Sequence, residues 1–362
     1  MERNSILRRA GRAAVCILAI AASLGAQKKK KEEATQTLQV PKDLPAAVIG
    51  DPRHFTFHTT PLSGKGLLSA QIREALKALS HETGGSVLHI RAFVAGSGDL
   101  RRVRDLVSET FTDRKQPLPA LSLIRAGGLP MEGAQVILEG IAAGKKEVNP
   151  NGLVFIAAAP AVSDSPLDPV TPLATRSLER LRGTLKDAGS AASDVLRVTC
   201  FISSLDNLGD VRKLVEAEYP RAAVDYIQAQ RSPARAVAAC EAVARLARNP
   251  GTKEQFLPSQ GEPRAAMITA PQVVLTGTQM SYGYQEADSR LAFERLVKSL
   301  EAAGAAAKDV AYANYYPLAE PLAAQVRKLR SSFFPGGPSS IVLFEGLASM
   351  DAGFAIDAIA VK

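Results

Sequence analysis

The chain has no tryptophan and only 12 phenylalanines and 7 tyrosines among 362 residues. With so few rings, the stacking platforms of single-strand nucleic-acid binders are not evident. Cysteine is scarcer still, with three in all. Cys16 sits in the opening apolar run, and the remaining pair, Cys200 and Cys240, is too small for a disulfide framework. Both lie in strand-like runs, VLRVTCFI and AVAACEAVARL, where buried free thiols are the preferred reading, although an oxidising compartment permits one bridge. The four histidines, His54, His58, His81 and His89, all fall in the first third. His54 and His58 share a face if extended, but no third ligand stands at useful spacing, so no metal is assigned. A phosphate-cradling glycine loop, a nucleophile elbow and a chelating cysteine pair are also missing, and no cofactor is expected.

Long apolar runs are missing too. The stretch AAVCILAIAASLGA is too short to span a bilayer. Preceded by Arg3, Arg8, Arg9 and Arg12, it reads as a secretory signal over residues 1–26, with an uncleaved anchor as the alternative. The protein is therefore expected to be exported, periplasmic or secreted, with no integral membrane segment after cleavage. Residues 27–46, with the tract KKKKEE at Lys28–Glu33, read as a charged flexible linker. The formal charge of +8 overstates the basicity of the folded part. Without the signal and the lysine tract only about three positive charges remain, and no basic face for nucleic acid is expected.

What is present is repetition. VRDLVSETF begins at Val103, VRKLVEAEY at Val211 and VRKLRSSFF at Val326. LKDAGSAASDV from Leu185 is matched by LEAAGAAAKDV from Leu300, and more loosely by LSHETGGSVLHI from Leu79. Three units result, over residues 47–145, 146–255 and 256–362. The second shows the order clearly. A β-rich GLVFIAAAP leads to a helix with Leu178, Leu181 and Leu185 on one face, then Gly189 where a C-terminal cap belongs. The strand DVLRVTCFI carries apolar residues on both faces, so neither is simply solvated. The VRKL helix and two further strands follow, giving a β(β)αβαββ unit, an α+β pattern whose sheet needs a partner for its other face.

These residues resemble the RidA (YjgF-type, L-PSP endoribonuclease-like) family, which has a fold like that of AroH-type chorismate mutase trimers. The third unit carries LTGTQ, LEAAG, DV and IDAIAV. The second carries LKDAG, DV, PRAAV and CEAVA, and the first LPALSLI, GGLP and VILEGIA. The resemblance covers residue 47 to the end. It implies three fused copies closing as an intramolecular pseudo-trimer, hence a monomer. The family's S-G-Q strand end is AAAP in the second unit and HTTP in the first.

The resemblance also implies chemistry. The family's arginine grips the carboxylate of a 2-imino or enamine acid, and a carboxyl on the last strand positions the water that releases ketone and ammonia. The arginine position falls on Leu121, Arg221 and Ser340, and the acid on Glu139, Glu241 and Asp357. Arg221 and Glu241 are the candidate catalytic pair, with Arg221 and backbone groups at Ala223 holding the substrate. A literal P-A-R ends at Arg235, but the six residues to Glu241 cannot hold a hairpin, which places Arg235 at a turn. The functional expectation is a small-carboxylate-binding protein with imine or enamine deaminase activity. The alternative is a noncatalytic binding or interaction protein on the same fold. Ribonuclease activity fits poorly with the near-neutral folded part.

Overall fold

The structure, a computed structural model, describes residues 40–258 and 262–362. The signal at 1–26 and most of the charged linker lie outside the described residues. Pro41–Lys362 form one compact unit. In chain order it runs β1 (Ala47–Gly50), β2 (Phe55–Thr59), α1 (Leu68–Thr83), β3 (Ser86–Ala95), α2 (Leu100–Asp113), β4 (Ala120–Ala126) and β5 (Val136–Ala143). Next come β6 (Leu153–Ile156), β7 (Ala161–Val162), α3 (Val170–Asp187), β8 (Val195–Ile202), α4 (Leu208–Glu218), β9 (Ala223–Gln228) and β10 (Val237–Arg245). After β11 (Glu254–Leu257) and β12 (Ala265–Ile268) come β13 (Val273–Thr276), β14 (Gln279–Tyr282), α5 (Glu286–Ala302), β15 (Val310–Pro317) and α6 (Glu320–Phe333). The chain closes with β16 (Ser339–Ile341), β17 (Gly346–Leu347) and β18 (Ala352–Val361). The described residues thus form a mixed α+β architecture of three sheets and six helices.

The three sheets share one plan, with orders β4-β3-β5-β2, β9-β8-β10-β6 and β16-β15-β18-β13. In each, the first pair is parallel and the next antiparallel. A parallel pair cannot be closed by a tight hairpin and needs a crossover, which is the task of the recurring helix. Its opening valine anchors it: Val103 in α2, Val211 in α4 and Val326 in α6 are each fully buried. The preceding helices end at Gly84, Gly189 and Gly304, all with positive φ, where a side chain would be strained.

Extra strands tie one sheet to another stretch of chain. β1 pairs with β13, β12 with β6, and β17 with β4. β12 therefore joins the second sheet although it falls within residues 256–362. Covering the β6 and β13 edges satisfies backbone groups that would otherwise stand open.

Each sheet packs its helices against one face, giving three separate apolar clusters, while two further clusters draw on all three sheets. In one of these, Phe344 lies 5.8 Å from Phe93 and 5.5 Å from both Phe201 and Tyr316, centroid to centroid. In the other, Phe155 lies 6.4 Å from Phe57 and 5.9 Å from Tyr312. The helices thus lie outside and the other sheet faces meet one another.

Cys200 and Cys240 form a disulfide, not free thiols. The sequence shows that both are buried strand residues, but not that β8 and β10 set them directly opposite each other. The bridge spans 40 residues. Cross-linking such a loop restricts the unfolded chain, so Cys200→Ala is expected to cost about 2–4 kcal/mol, read from denaturant unfolding against the oxidised parent. A loss below about 1 kcal/mol would contradict that stabilising role.

Candidate functional site

The three sequence-derived acids hold one place in the three sheets. Glu139 on β5 lies opposite Arg91, Glu241 on β10 opposite Thr199, and Asp357 on β18 opposite Asn314. All three are buried. Each reaches a neighbouring sheet. Asp357 accepts from Ser122 of the first sheet at 2.6 Å, as well as from Asn314 and Tyr316, both at 2.8 Å. Glu241 accepts from Ser340 of the third sheet at 2.8 Å and from Tyr312 at 3.3 Å. Glu139 accepts from Thr199 of the second sheet.

Arg91 ties this layer together. Its Nε donates to Glu139 and its Nη2 to Glu241, each at 2.5 Å, and Arg197 stands 3.4 and 3.5 Å from the same two carboxylates. Burial pushes the Glu139 carboxyl up, but the charges of Arg197 and Arg91 outweigh it and hold the group well below the usual carboxylate range. Burial likewise opposes the charge on Arg91, and Glu139 and Glu241 more than restore it. His89 is pushed down to about 4 by burial and is neutral at physiological pH.

Level with Arg91, Thr199 and Asn314 on the adjoining parallel strands stand Ser122, Asp225 and Ser340. The two serines donate to acids, whereas neither buried oxygen of Asp225 has a donor. Burial and the charge of Glu139 push the Asp225 carboxyl well above its ordinary range. Raised in this way, the carboxyl favours its neutral form, which can take the serine's part beside Glu139. A carboxyl that binds its proton more tightly when folded makes stability fall as pH rises from its unfolded value, about 4, towards its folded pKa. Asp225→Asn keeps a donor without the titration and is expected to abolish that decline in unfolding midpoints measured from about pH 5 to about pH 9. An unchanged slope would contradict a protonated Asp225.

The same register relocates the arginine position. Level with Ser340 are Ser122, not Leu121, and Asp225, not Arg221. Arg221 lies in the exposed turn ahead of β9 and makes no bond to Glu241, so the structure does not bring that pair together. Ala223 opens β9 opposite Arg197, and Arg235 is exposed in the β9–β10 connection. The partners of Glu241 that sequence reasoning missed are Arg91, Arg197 and Tyr312. The available signal was an arginine in mid-strand within VLHIRAFVA, since a cation buried there must meet a carboxylate.

The layer leaves about 30 Å³ beside His89, Arg91, Arg197, Tyr312, Asn314 and Asp357. That suits water rather than a metabolite. Arg221 instead lines an open cleft of about 420 Å³ between β2 of the first sheet and the β8–β9 end of the second. Its walls include Phe55, Phe57, His58, Glu82, Leu196, Ala223 and Arg245. Arg245 is held by Asn149, its Nε donating to Oδ1 at 3.2 Å, and Arg221 has no side-chain partner among the described residues. Burial pushes the His58 imidazole below its ordinary value against the charge of Glu82, and its Nε2 lies 2.9 Å from the Thr56 hydroxyl. Two guanidinium forks open to solvent can bind carboxylates.

At the corresponding junctions the chain makes close contacts. A Cβ at Gly277 would stand 2.7 Å from the carbonyl oxygen of Leu121, to which Thr278 also donates. After β6, the Ala158 amide donates to Ser340 at 2.8 Å. A larger depression of about 530 Å³ lies along the outer side of α3, where Arg176, Arg180, Lys186 and Arg264 are interspersed with Glu179 and Asp187. Among the described residues no cluster of metal-ligating side chains occurs, and no helix is long and apolar enough to cross a membrane.

No protein-family profile matches the chain, and no curated protein does. Solved structures do. A member of the YjgF/YER057c/UK114 family from Mycobacterium tuberculosis is 21% identical, with 30% of this chain and 99% of that one covered and a TM-score of 0.24. A Rid-family protein of unknown function, YyfB from Yersinia pestis, is 16% identical over 31% of this chain and 100% of that one, with a TM-score of 0.27. RidA from the Antarctic bacterium Psychrobacter is 18% identical over 25% and 80%, with a TM-score of 0.24. Solved structures of the RidA/YjgF kind thus resemble this chain over a quarter to a third of its length.

Proposed function

We propose that the chain is three RidA-like units closed on themselves as an intramolecular pseudo-trimer, and that it binds a small carboxylate in the cleft between the first two. The shared strand order of the sheets and the carboxylates reaching from sheet to sheet support the closure. One observation carries the binding site: Arg221 and Arg245 line an open cleft, whereas Glu139, Glu241 and Asp357 are sealed. The protein is a noncatalytic binder in this reading, because Glu139, Glu241 and Asp357, the acids at the family's position, are sealed away from the cleft. A second reading, imine hydrolysis, would use Glu82 and His58, the titratable groups of the cleft. The Cys200–Cys240 bridge and the pattern of residues 1–26 support export to an oxidising compartment.

Calorimetric titration with small 2-keto acids tests the binding. Arg221→Ala is expected to weaken affinity about tenfold or more with the fold intact, since Arg221 is exposed. Equal affinity in the two proteins would sink the assignment. Ketoacid release from 2-iminobutanoate made in situ, lost in Glu82→Gln, would establish the second reading instead.

A further inference from the structure

The cleft contains more chemistry than one carboxylate needs. In the second sheet, Arg197 is level with Ala223 on one side and Val243 on the other. Two residues further along, towards the same end of the sheet, stand Arg221 and Arg245, with β8 between them. Two strand spacings put their backbones roughly 10 Å apart, a span that two long side chains can close around a small molecule.

Arg245 is also preset. Asn149 is buried and donates to the carbonyls of Pro52 and Phe55 at 2.9 and 2.8 Å, which fixes its Oδ1 towards the Arg245 Nε. The Nη groups of Arg245 make no other hydrogen bond among the described residues. A fork oriented in this way from a buried amide loses little freedom on binding a second anion. Glu82 adds one negative charge to the same walls.

We infer that the cleft takes a small dicarboxylate bearing a protonated nitrogen, with Arg221 on one carboxylate, Arg245 on the other and Glu82 facing the cationic nitrogen. This rests on the carboxylate-binding reading above and specifies its ligand class. The charges match group for group, with two guanidiniums for two carboxylates and one carboxylate for one ammonium. Arg245 is the specificity-determining residue, because only a two-headed ligand reaches both forks.

Titrations of the full chain with L-glutamate, glutarate and L-alanine test this. L-glutamate is expected to bind about tenfold or more tighter than L-alanine, with glutarate between them. Arg245→Met should remove the advantage of L-glutamate while moving L-alanine less than about threefold. Arg245→Lys, which keeps the charge, should retain part of it. Glu82→Gln should bring L-glutamate down to the level of glutarate. If L-alanine and L-glutamate bind the parent equally, or if Arg245→Met and Arg245→Lys weaken both alike, the two-headed ligand is wrong and the carboxylate site stands. If none of the three binds, the carboxylate site falls and the inference with it.

Discussion

Arg91→Met is expected to lower the stability of the chain by about 3–5 kcal/mol, the usual consequence of removing one partner of a buried charge pair. The cost is not the loss of attraction alone. Arg91 is 2% exposed and contacts Glu139 and Glu241 at once, so its removal strands two carboxylates away from water. Arg197 is farther away, at 3.4 and 3.5 Å, and compensates only in part. The loss should appear as a lowered urea midpoint with the slope of the transition unchanged. Adding Glu139→Gln and Glu241→Gln to Arg91→Met should recover much of it, because the stranded charges are then gone. A single variant within about 1 kcal/mol of the parent would mean that water reaches the layer.

Phe344→Ala is expected to cost a similar amount, about 3–5 kcal/mol. Its ring is 1% exposed and meets Phe93 of the first sheet, Phe201 of the second and Tyr316 of the third. Three rigid sheets converge there, so the vacated volume cannot collapse. The residue belongs to no single unit, and the variant should unfold in one transition displaced to lower temperature. Early melting of only part of the molecule would show that the sheets are stable separately and contradict a common centre.

Much of this plan was legible in the sequence, and what was not has a common cause. The three VR helices and the cap at Gly189 follow from local spacing, which the chain states directly, whereas the level placement of Glu139, Glu241 and Asp357 is what the family resemblance implies. Alternation along a strand says which side chains share a face but not which strand lies opposite. Nothing local to Cys200 or Cys240 says that the register of β8 and β10 sets them opposite each other. The short runs AVIG and AAMI gave no sign that β1 would cover β13, or β12 cover β6. The four-residue offset of Arg221 from Asp225 likewise appears only against the neighbouring strand. Arg221 lies in the open cleft, and the acid it was paired with is sealed behind Arg91.

A crystal structure of the protein soaked with L-glutamate tests the Arg221–Arg245 site most directly. Ligand carboxylates are expected within hydrogen-bonding distance of Arg221 and Arg245, with Glu139, Glu241 and Asp357 still bonded to Arg91, Ser340 and Ser122. A ligand seated among those three acids, or a cleft left empty while ligand occupies another site, would contradict it.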